Sequence, residues 1–319
     1  MLTRRNALKL VAGAASLPLL PSKAHAAPLT YELRPEKLEQ GIWMVPGAQQ
    51  AITQKNGGAI ANITILDSSA GAIVVDTGPS LRYGEALLKL AQELTGKSVA
   101  RVYLTHFHPD HCFGNQAFDP ALIATTQGVV DGMKALGEGF SDSMYQTVGD
   151  WMRGTEVVLP KVILSAPVED FGDRRIRALP MRGHTASDLV LFDEVSGVLI
   201  SGDLVFLDRA PTTPHADFER WRISLANLGG IPHNRLIPGH GPAEPGDRGI
   251  RQTREWLEGI EAMIRDAFDR GLDMNEAMAL PLPKWAENIA VSRYEYERSV
   301  MHLYPKLEAE KLPRVDQKS

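Results

Sequence analysis

Apolar and polar positions divide the chain into a strand-rich stretch and a helical end. Ile42 to Val45 and Ala59 to Leu66 read as strands, the second β-branched and apolar, and "DSSAG" after it reads as a turn. Ala72 to Gly78 is a buried strand ending in a polar loop. Gly84 to Leu94 carries apolar residues at helical spacing. Arg101 to His106 is a strand that runs straight into a histidine-rich loop. From about Gln127 to Arg153 the pattern is helical and broken by glycines. Met133, Met144, Trp151 and Met152 in that region either cover a pocket as a lid over residues 128–154 or pack as ordinary core.

Several short strands follow up to Met181, joined by turns. Leu189 to Phe192 and Val198 to Ser201 form a hairpin-like pair around a turn at Glu194 to Gly197. "FERWRISLANL" is a helix, and Arg235 to His240 is a last strand. "DRGIRQTREWLEGIEAMIRDAFDRG" is a long amphipathic helix, with more helix from Leu272 to about Tyr304. The order is β-rich, helix, strand, helices, β-rich, helix, strand, helix, and the polar residues of interest fall just after strands. An α+β fold with αββα layering fits this order: two sheets pack together, helices lie outside, and loops along one edge carry a site.

Composition narrows the class. With 319 residues, 44% hydrophobic and 23% charged, the chain is long enough for a sizeable core. A net charge of -5 argues against a general nucleic-acid binder. The first residues, "MLTRRNALKLVAGAASLPLLPSKAHAAP", have a basic start, an apolar run too short for a comfortable span, and small residues at Ala24 and Ala26. Residues 1–26 are expected to be a cleaved signal of twin-arginine type, placing the mature protein in the periplasm with no stable membrane span. Residues 27–310 are expected to be one domain with C-terminal helices, and residues 311–319 a polar tail. The single cysteine excludes an internal disulfide and a cysteine-rich zinc motif, so any metal must be held by histidine and carboxylate.

"THFHPDHC" supplies such groups: three histidines, one aspartate and the cysteine fall within seven positions, His106 to Cys112. In extended chain, residues two apart share a face, so His106 and His108 can reach one ion together. Pro109 keeps His108 extended and starts a turn, after which Asp110 and His111 point elsewhere. One cluster thus serves two adjacent positions, and each needs further ligands, because zinc takes about four. His184, Asp203 and His240 offer them, each at the end of a β-segment with glycine beside it. Cys112 reads as a buried small apolar neighbour and not a ligand. Asp76 reads as a brace for the loops. His215 either lines the pocket or merely precedes a helix started by Asp217.

"THFHPDH" also resembles the H-x-H-x-D-H signature of the metallo-β-lactamase superfamily, and "VVDTG" (Val74 to Gly78) resembles its early aspartate motif. His184, Asp203 and His240 match its later ligands in order, over about Ile42 to Gly241. The resemblance implies the αββα four-layer sandwich of that family. It implies one metal on His106, His108 and His184, a second on Asp110, His111 and His240, and Asp203 between them. "NGGAIAN", "DTGPSLRYGE", "HPDHCFGNQAF" and "DRAPTTPHADFERW" are similar to the quinoprotein relay system zinc metallohydrolases, which implies a periplasmic quinoprotein dehydrogenase or cytochrome c as partner.

The expected protein is therefore a dinuclear zinc hydrolase acting on a small molecule. Metal-bound hydroxide, oriented by the catalytic Asp110, would attack an ester, thioester, lactone or amide. Imidazole and carboxylate ligands suit Zn²⁺, with Fe or Mn as alternatives. A β-lactamase and a glyoxalase II-like thioesterase are the alternative activities. A metal-binding accessory partner of a quinoprotein system, with little turnover, is the alternative of another class.

Overall fold

The computed structural model describes residues 29–311. The expected signal (1–26) and all of the expected tail except Lys311 lie outside the described residues. Seven strands form one sheet in chain order: β1 Glu36–Glu39, β2 Ile42–Val45, β3 Ile63–Ser68, β4 Gly71–Val75, β5 Val99–Tyr103, β6 Ile123–Thr125 and β7 Val162–Ile163. Pairing is antiparallel from β1 to β4 and parallel from β4 to β7. A second sheet has the order β12-β11-β10-β9-β8, from β8 Val168–Asp170, β9 Arg175–Met181, β10 Asp188–Asp193, β11 Val198–Phe206 and β12 Arg235–His240. Only its β11–β12 pair is parallel.

Strand periodicity sorts the side chains into three cores. On β4, Ile73 and Val75 face the space between the sheets, where they meet Leu189 and Leu191 of β10 and Ile237 of β12. Ala72 and Val74 face the other way. There they pack beneath α1 (Leu81–Thr95) and α3 (Gln127–Val148), beyond the short α2 (Pro109–Cys112). On the second sheet, Val190, Leu199 and Leu236 face outward onto α4 (Phe218–Gly229), α5 (Arg248–Asp269) and α8 (Ser292–Lys311). The short α6 (Met274–Met278) and α7 (Lys284–Glu287) link the last two. This is the helix–sheet–sheet–helix layering expected.

Helix ends follow local chemistry. Ser80 caps α1 by accepting from the Tyr83 amide, and Gly96 closes it in the left-handed region. Asp217 caps α4 by accepting from the Arg220 amide. Several boundaries differ from the sequence reading. Ala59 to Asn62 lie before β3, because their backbone is held by loop contacts and not by the ladder. The glycines of residues 127–148 do not break α3, which runs unbroken for 22 residues on a face of Val129, Val130, Met133 and Met144. β11 continues past Ser201 to Phe206, so Asp203 sits within the strand and not at its end. Lys311 belongs to α8 rather than to the tail.

Candidate metal centre

Both sheets deliver side chains to one edge of the sandwich. The chain leaves β5 at Tyr103 and reaches α2 six residues later, at Pro109. His106 lies on the extended link. His108 takes the N-cap position of α2 without a side-chain cap bond, and Pro109 opens the helix. Asp110 and His111 lie inside the turn, so they project differently from His106 and His108. From the second sheet come His184, after β9, Asp203, within β11, and His240, the last residue of β12. Gly202 has φ +52 and a register shift at that point re-aims the strand. All seven sequence-predicted metal residues come together and all are buried.

Their donor atoms form two clusters: His106, His108, His184 and Asp203, and beside it Asp110, His111 and His240. In the first, His108 Nδ1 lies 3.1 Å from His106 Nε2 and 2.8 Å from His184 Nε2. Asp203 Oδ2 stands 3.7 Å from His106 Nε2 and 3.3 Å from His184 Nε2. In the second, Asp110 Oδ2 lies 3.6 Å from His111 Nε2 and 3.4 Å from His240 Nε2. Asp203 reaches this cluster too, 3.1 Å from His111 Nε2 through Oδ1 and 3.2 Å from His240 Nε2 through Oδ2. Ligands about 2.0–2.1 Å from a tetrahedral zinc stand about 3.3 Å apart. The donor spacings bracket that edge length.

The outer ring nitrogens explain why the inner ones carry lone pairs. His111 Nδ1 donates to Asp76 Oδ2 at 2.7 Å, and His240 Nδ1 donates to the Ile60 carbonyl at 2.8 Å. The Thr105 hydroxyl donates to Asp76 Oδ2 at 2.8 Å, so it accepts from His106 Nδ1 at 2.9 Å. His108 Nε2 meets His215 Nδ1 at 2.9 Å. These hydrogen bonds assign the tautomers of His106, His111 and His240 and leave their Nε2 atoms unprotonated toward the cluster, while His184 Nδ1 is buried without a partner. In the second cluster, His111 Nε2 is buried without a hydrogen-bond partner, as is Asp203 Oδ1. Converging lone pairs and orphaned buried acceptors fit a cation at each position.

The electrostatics agree. Burial, then neighbouring imidazoles, holds His106 and His108 well below the ordinary histidine range. Burial pushes His184 down to about 3. Burial opposes charge on His111 as well, but Asp203, Asp110 and Asp76 together outweigh it and raise that group. Burial would raise Asp203, yet His240, His111, His106 and His184 hold its carboxyl well below the usual range. A buried carboxylate among five imidazoles is arranged to stay ionised.

Asp76 is not in either cluster. With φ +65, a conformation that aspartate tolerates better than most residues, it turns its carboxylate back onto Thr105 and His111. Cys112 donates weakly to the Phe107 carbonyl, packs in the core beneath α1 and α3, and belongs to neither donor group. His215 lines the cleft above the metal cluster. Burial, then His302, Arg298 and Lys306, lowers its affinity for a proton. The cleft has a volume of about 230 Å³, and Phe140 and Met144 bring α3 into its wall. The helix of the suspected lid thus both packs as core and borders the opening.

Other contributors were missed in the sequence. Asn62 is buried and donates to the carbonyls of Pro238 and Gly241, clamping the chain on both sides of His240. Phe206 stacks on His240 at 5.0 Å and 8°, and Trp221 packs edge-on against His184 at 5.1 Å. Arg209 and Glu295 form a buried pair in the cleft wall. An asparagine inside an apolar run was the one available signal; the others look like ordinary core or surface residues.

A two-sheet sandwich with a histidine–aspartate cluster at its edge, suited to two metal ions, defines a class. Residues 56–240 match the metallo-beta-lactamase superfamily, and the chain belongs to it. It is a metallo-hydrolase of that superfamily. Among curated relatives, the acyl-coenzyme A thioesterase MBLAC2 of Homo sapiens is 28% identical over 214 residues, covering 56% of this chain and 72% of that protein. A linear primary-alkylsulfatase of Pseudomonas sp. is 24% identical over 283 residues, covering 75% of this chain and 53% of that protein. The crystal structure of DIM-1 metallo-beta-lactamase exposed to ceftazidime superposes with a TM-score of 0.55 at 20% identity, covering 72% of this chain and 98% of that one. At that identity the likeness concerns the fold.

Proposed function

We propose that the protein is a dinuclear zinc hydrolase that cleaves an ester-type bond, with thioesters and carboxylic esters as the leading substrates. The observation that carries this reading is the double cluster itself: seven buried donors in two groups, with Asp203 within reach of both. His106, His108 and His184 would hold one ion, Asp110, His111 and His240 the other, and Asp203 would bridge them. Five imidazoles and two carboxylates suit zinc better than magnesium or calcium, with iron or manganese as the alternatives. Bound there, the ions supply a nucleophile drawn from water near neutral pH and Lewis acidity toward the developing negative charge.

The chain's own residues do the rest. Asp110 borders both the cluster and the cleft, so its carboxylate can orient the attacking water and receive its proton. Asp76, Thr105 and Ile60 fix the tautomers of His111, His106 and His240. Phe140, Met144, Ile52 and Ile60 give the cleft an apolar lining that limits water beside the scissile bond. The thioester reading takes support from the relative named as an acyl-coenzyme A thioesterase.

The test is a panel of thioesters, esters, lactones, amides, S-lactoylglutathione, nitrocefin and alkyl sulfates, run on zinc-loaded protein and on His108→Ala. Turnover of a thioester or ester that falls at least 100-fold in the variant is expected. Hydrolysis of nitrocefin alone would move the reading to a β-lactamase. Equal turnover by parent and variant would end it.

We also propose export to the periplasm, carried by "TRRNALKLVAGAASLPLLPSKAHA" at the start of the chain. N-terminal sequencing of the exported protein should begin at Ala27. The motifs shared with quinoprotein relay metallohydrolases support a periplasmic quinoprotein dehydrogenase or cytochrome c as partner. Co-purification of such a protein, without turnover on the panel, would favour the accessory role over the enzyme.

A further inference from the structure

One wall of the cleft is built for charge, and it lies outside the residues that hold the metals. The segment after β11 contributes Arg209 and Thr212, and α8 contributes Glu295 and Arg298. The Arg209 and Glu295 side chains are 2% and 1% exposed, 3.5 Å apart. Glu295 also accepts from the Thr212 hydroxyl at 2.9 Å and from Arg298 Nη1 at 3.0 Å. Two guanidiniums and one carboxylate leave one positive charge without a partner in this group. The buried Arg209–Glu295 pair balances itself, so the excess charge sits on the partly exposed Arg298, at the cleft.

The two arginines are not equivalent. Arg209 Nη1 bonds the Ala210 carbonyl at 3.2 Å, and its Nε is buried without a hydrogen-bond partner. Arg298 is 33% exposed, and only its Nη1 is engaged by Glu295. Its guanidinium carbon lies 5.3 Å from the centre of the Tyr294 ring, a cation–π contact beside the pair, and Nη1 is the nitrogen that bonds Glu295. A purely structural ion pair would need one arginine. The second is partly open and lines the cleft, where its fork of donors suits a planar anion.

We propose that this wall is a subsite for a singly charged oxyanion of carboxylate type on the substrate. Arg298 contacts the anion and Arg209 stands behind it, and Glu295 and Thr212 position the arginines. The inference rests on the hydrolase reading for the identity of the scissile bond, but the subsite itself does not. The substrate is then a molecule with an ester-type bond at the metal end and a carboxylate toward α8, and neutral analogues are poorer ligands.

Two measurements on the zinc-loaded full chain test this. Mono-4-nitrophenyl glutarate is compared with 4-nitrophenyl pentanoate, its neutral counterpart, as the ratio of kcat/KM. The parent should favour the acidic ester at least tenfold, and Arg298→Gln should bring the ratio near one, chiefly through KM. Arg298→Lys should keep part of the preference. Calorimetry then compares glutarate with butyrate, with no turnover required. Glutarate should bind at least tenfold more tightly to the parent, with the advantage lost in Arg298→Gln. Binding preference without hydrolysis of either ester sustains the subsite and ends the hydrolase reading. Hydrolysis without either preference, or preferences unchanged in Arg298→Gln, overturns the subsite.

Discussion

Single atoms around the cluster govern how the metals are held. Asp76 touches no cluster donor except through His111 and Thr105, so Asp76→Asn should leave the fold intact and weaken metal binding about 10–100-fold, measured by competition with a chelator of known affinity. Cys112→Ser should leave zinc content unchanged, because the sulfur faces the Phe107 carbonyl. The histidines also set a pH signature for the metal-free protein. His106, His108 and His184 titrate below the ordinary histidine value when folded, His184 at about 3. Between pH ~6.5 and ~3 the unfolded chain binds more protons, so the cluster's contribution to stability falls as pH falls. His111 is shifted upward, so its contribution is complete below pH ~6.5 and is lost as pH rises through its folded value. Urea midpoints in chelator should therefore peak near pH ~6.5, and a curve flat between pH 4 and 7 would contradict this. The expected donors are legible at this scale because four fall in one short run, His106 to His111, and the other three each follow a glycine, Gly183, Gly202 or Gly239. Asn62 and Trp221 are not, since their roles exist only once distant segments meet.

Elements explain what residue types alone could not. β2, α4 and β12 lie where their patterns put them, since each has clear periodicity and a polar boundary. The sequence pattern ends β11 at Ser201, because Gly202 and Asp203 look like a turn, whereas the strand runs on to Phe206. Its parallel pairing with β12 overrides that local preference and stations Asp203 beside His240. The pairing leaves no room for a side chain at Gly239. A Cβ there would overlap Asp203 Oδ1 and stand 2.7 Å from the Gly202 carbonyl carbon. Gly239→Ala should lose the bridging carboxylate's position, with metal content below one ion per chain by elemental analysis. Retention of two ions would show that the strands can separate at little cost. Trp221 on α4 is a second element-level support. Its ring packs on His184 and its indole nitrogen donates to the Leu204 carbonyl at 2.9 Å. Trp221→Ala should cost about 3–5 kcal/mol in chemical denaturation.

Across the whole molecule, the metals would join two sheets that otherwise meet through side-chain packing and a few hydrogen bonds, such as Leu189 N–H to the Thr105 carbonyl and Asn62 N–H to the Gly239 carbonyl. The first sheet's edge gives four donors and the second gives three. Removal of metal should therefore loosen the sandwich as well as abolish activity. At free zinc about 1,000-fold above Kd the linkage is worth about 4 kcal/mol, or roughly 10 °C in Tm for a chain of this size. Calorimetric scans with and without chelator measure it, and coincident transitions would mean that packing alone sets the stability. The layering was readable from element order. The depth of the cleft was not, because α3 and α8 close it from positions about 150 residues apart.

The order of the donors along the chain also has a consequence for synthesis. His106 to His111 emerge from the ribosome together, whereas His240 follows 129 residues after His111. At about 5–20 residues per second that interval is roughly 6–26 seconds. During it the nascent chain would carry half of a binding site with nothing to close it, open to whichever ion the cell offers first. Which metal the finished protein holds would then depend on the compartment where the last strand joins the sheet, as well as on the affinity of the completed cluster.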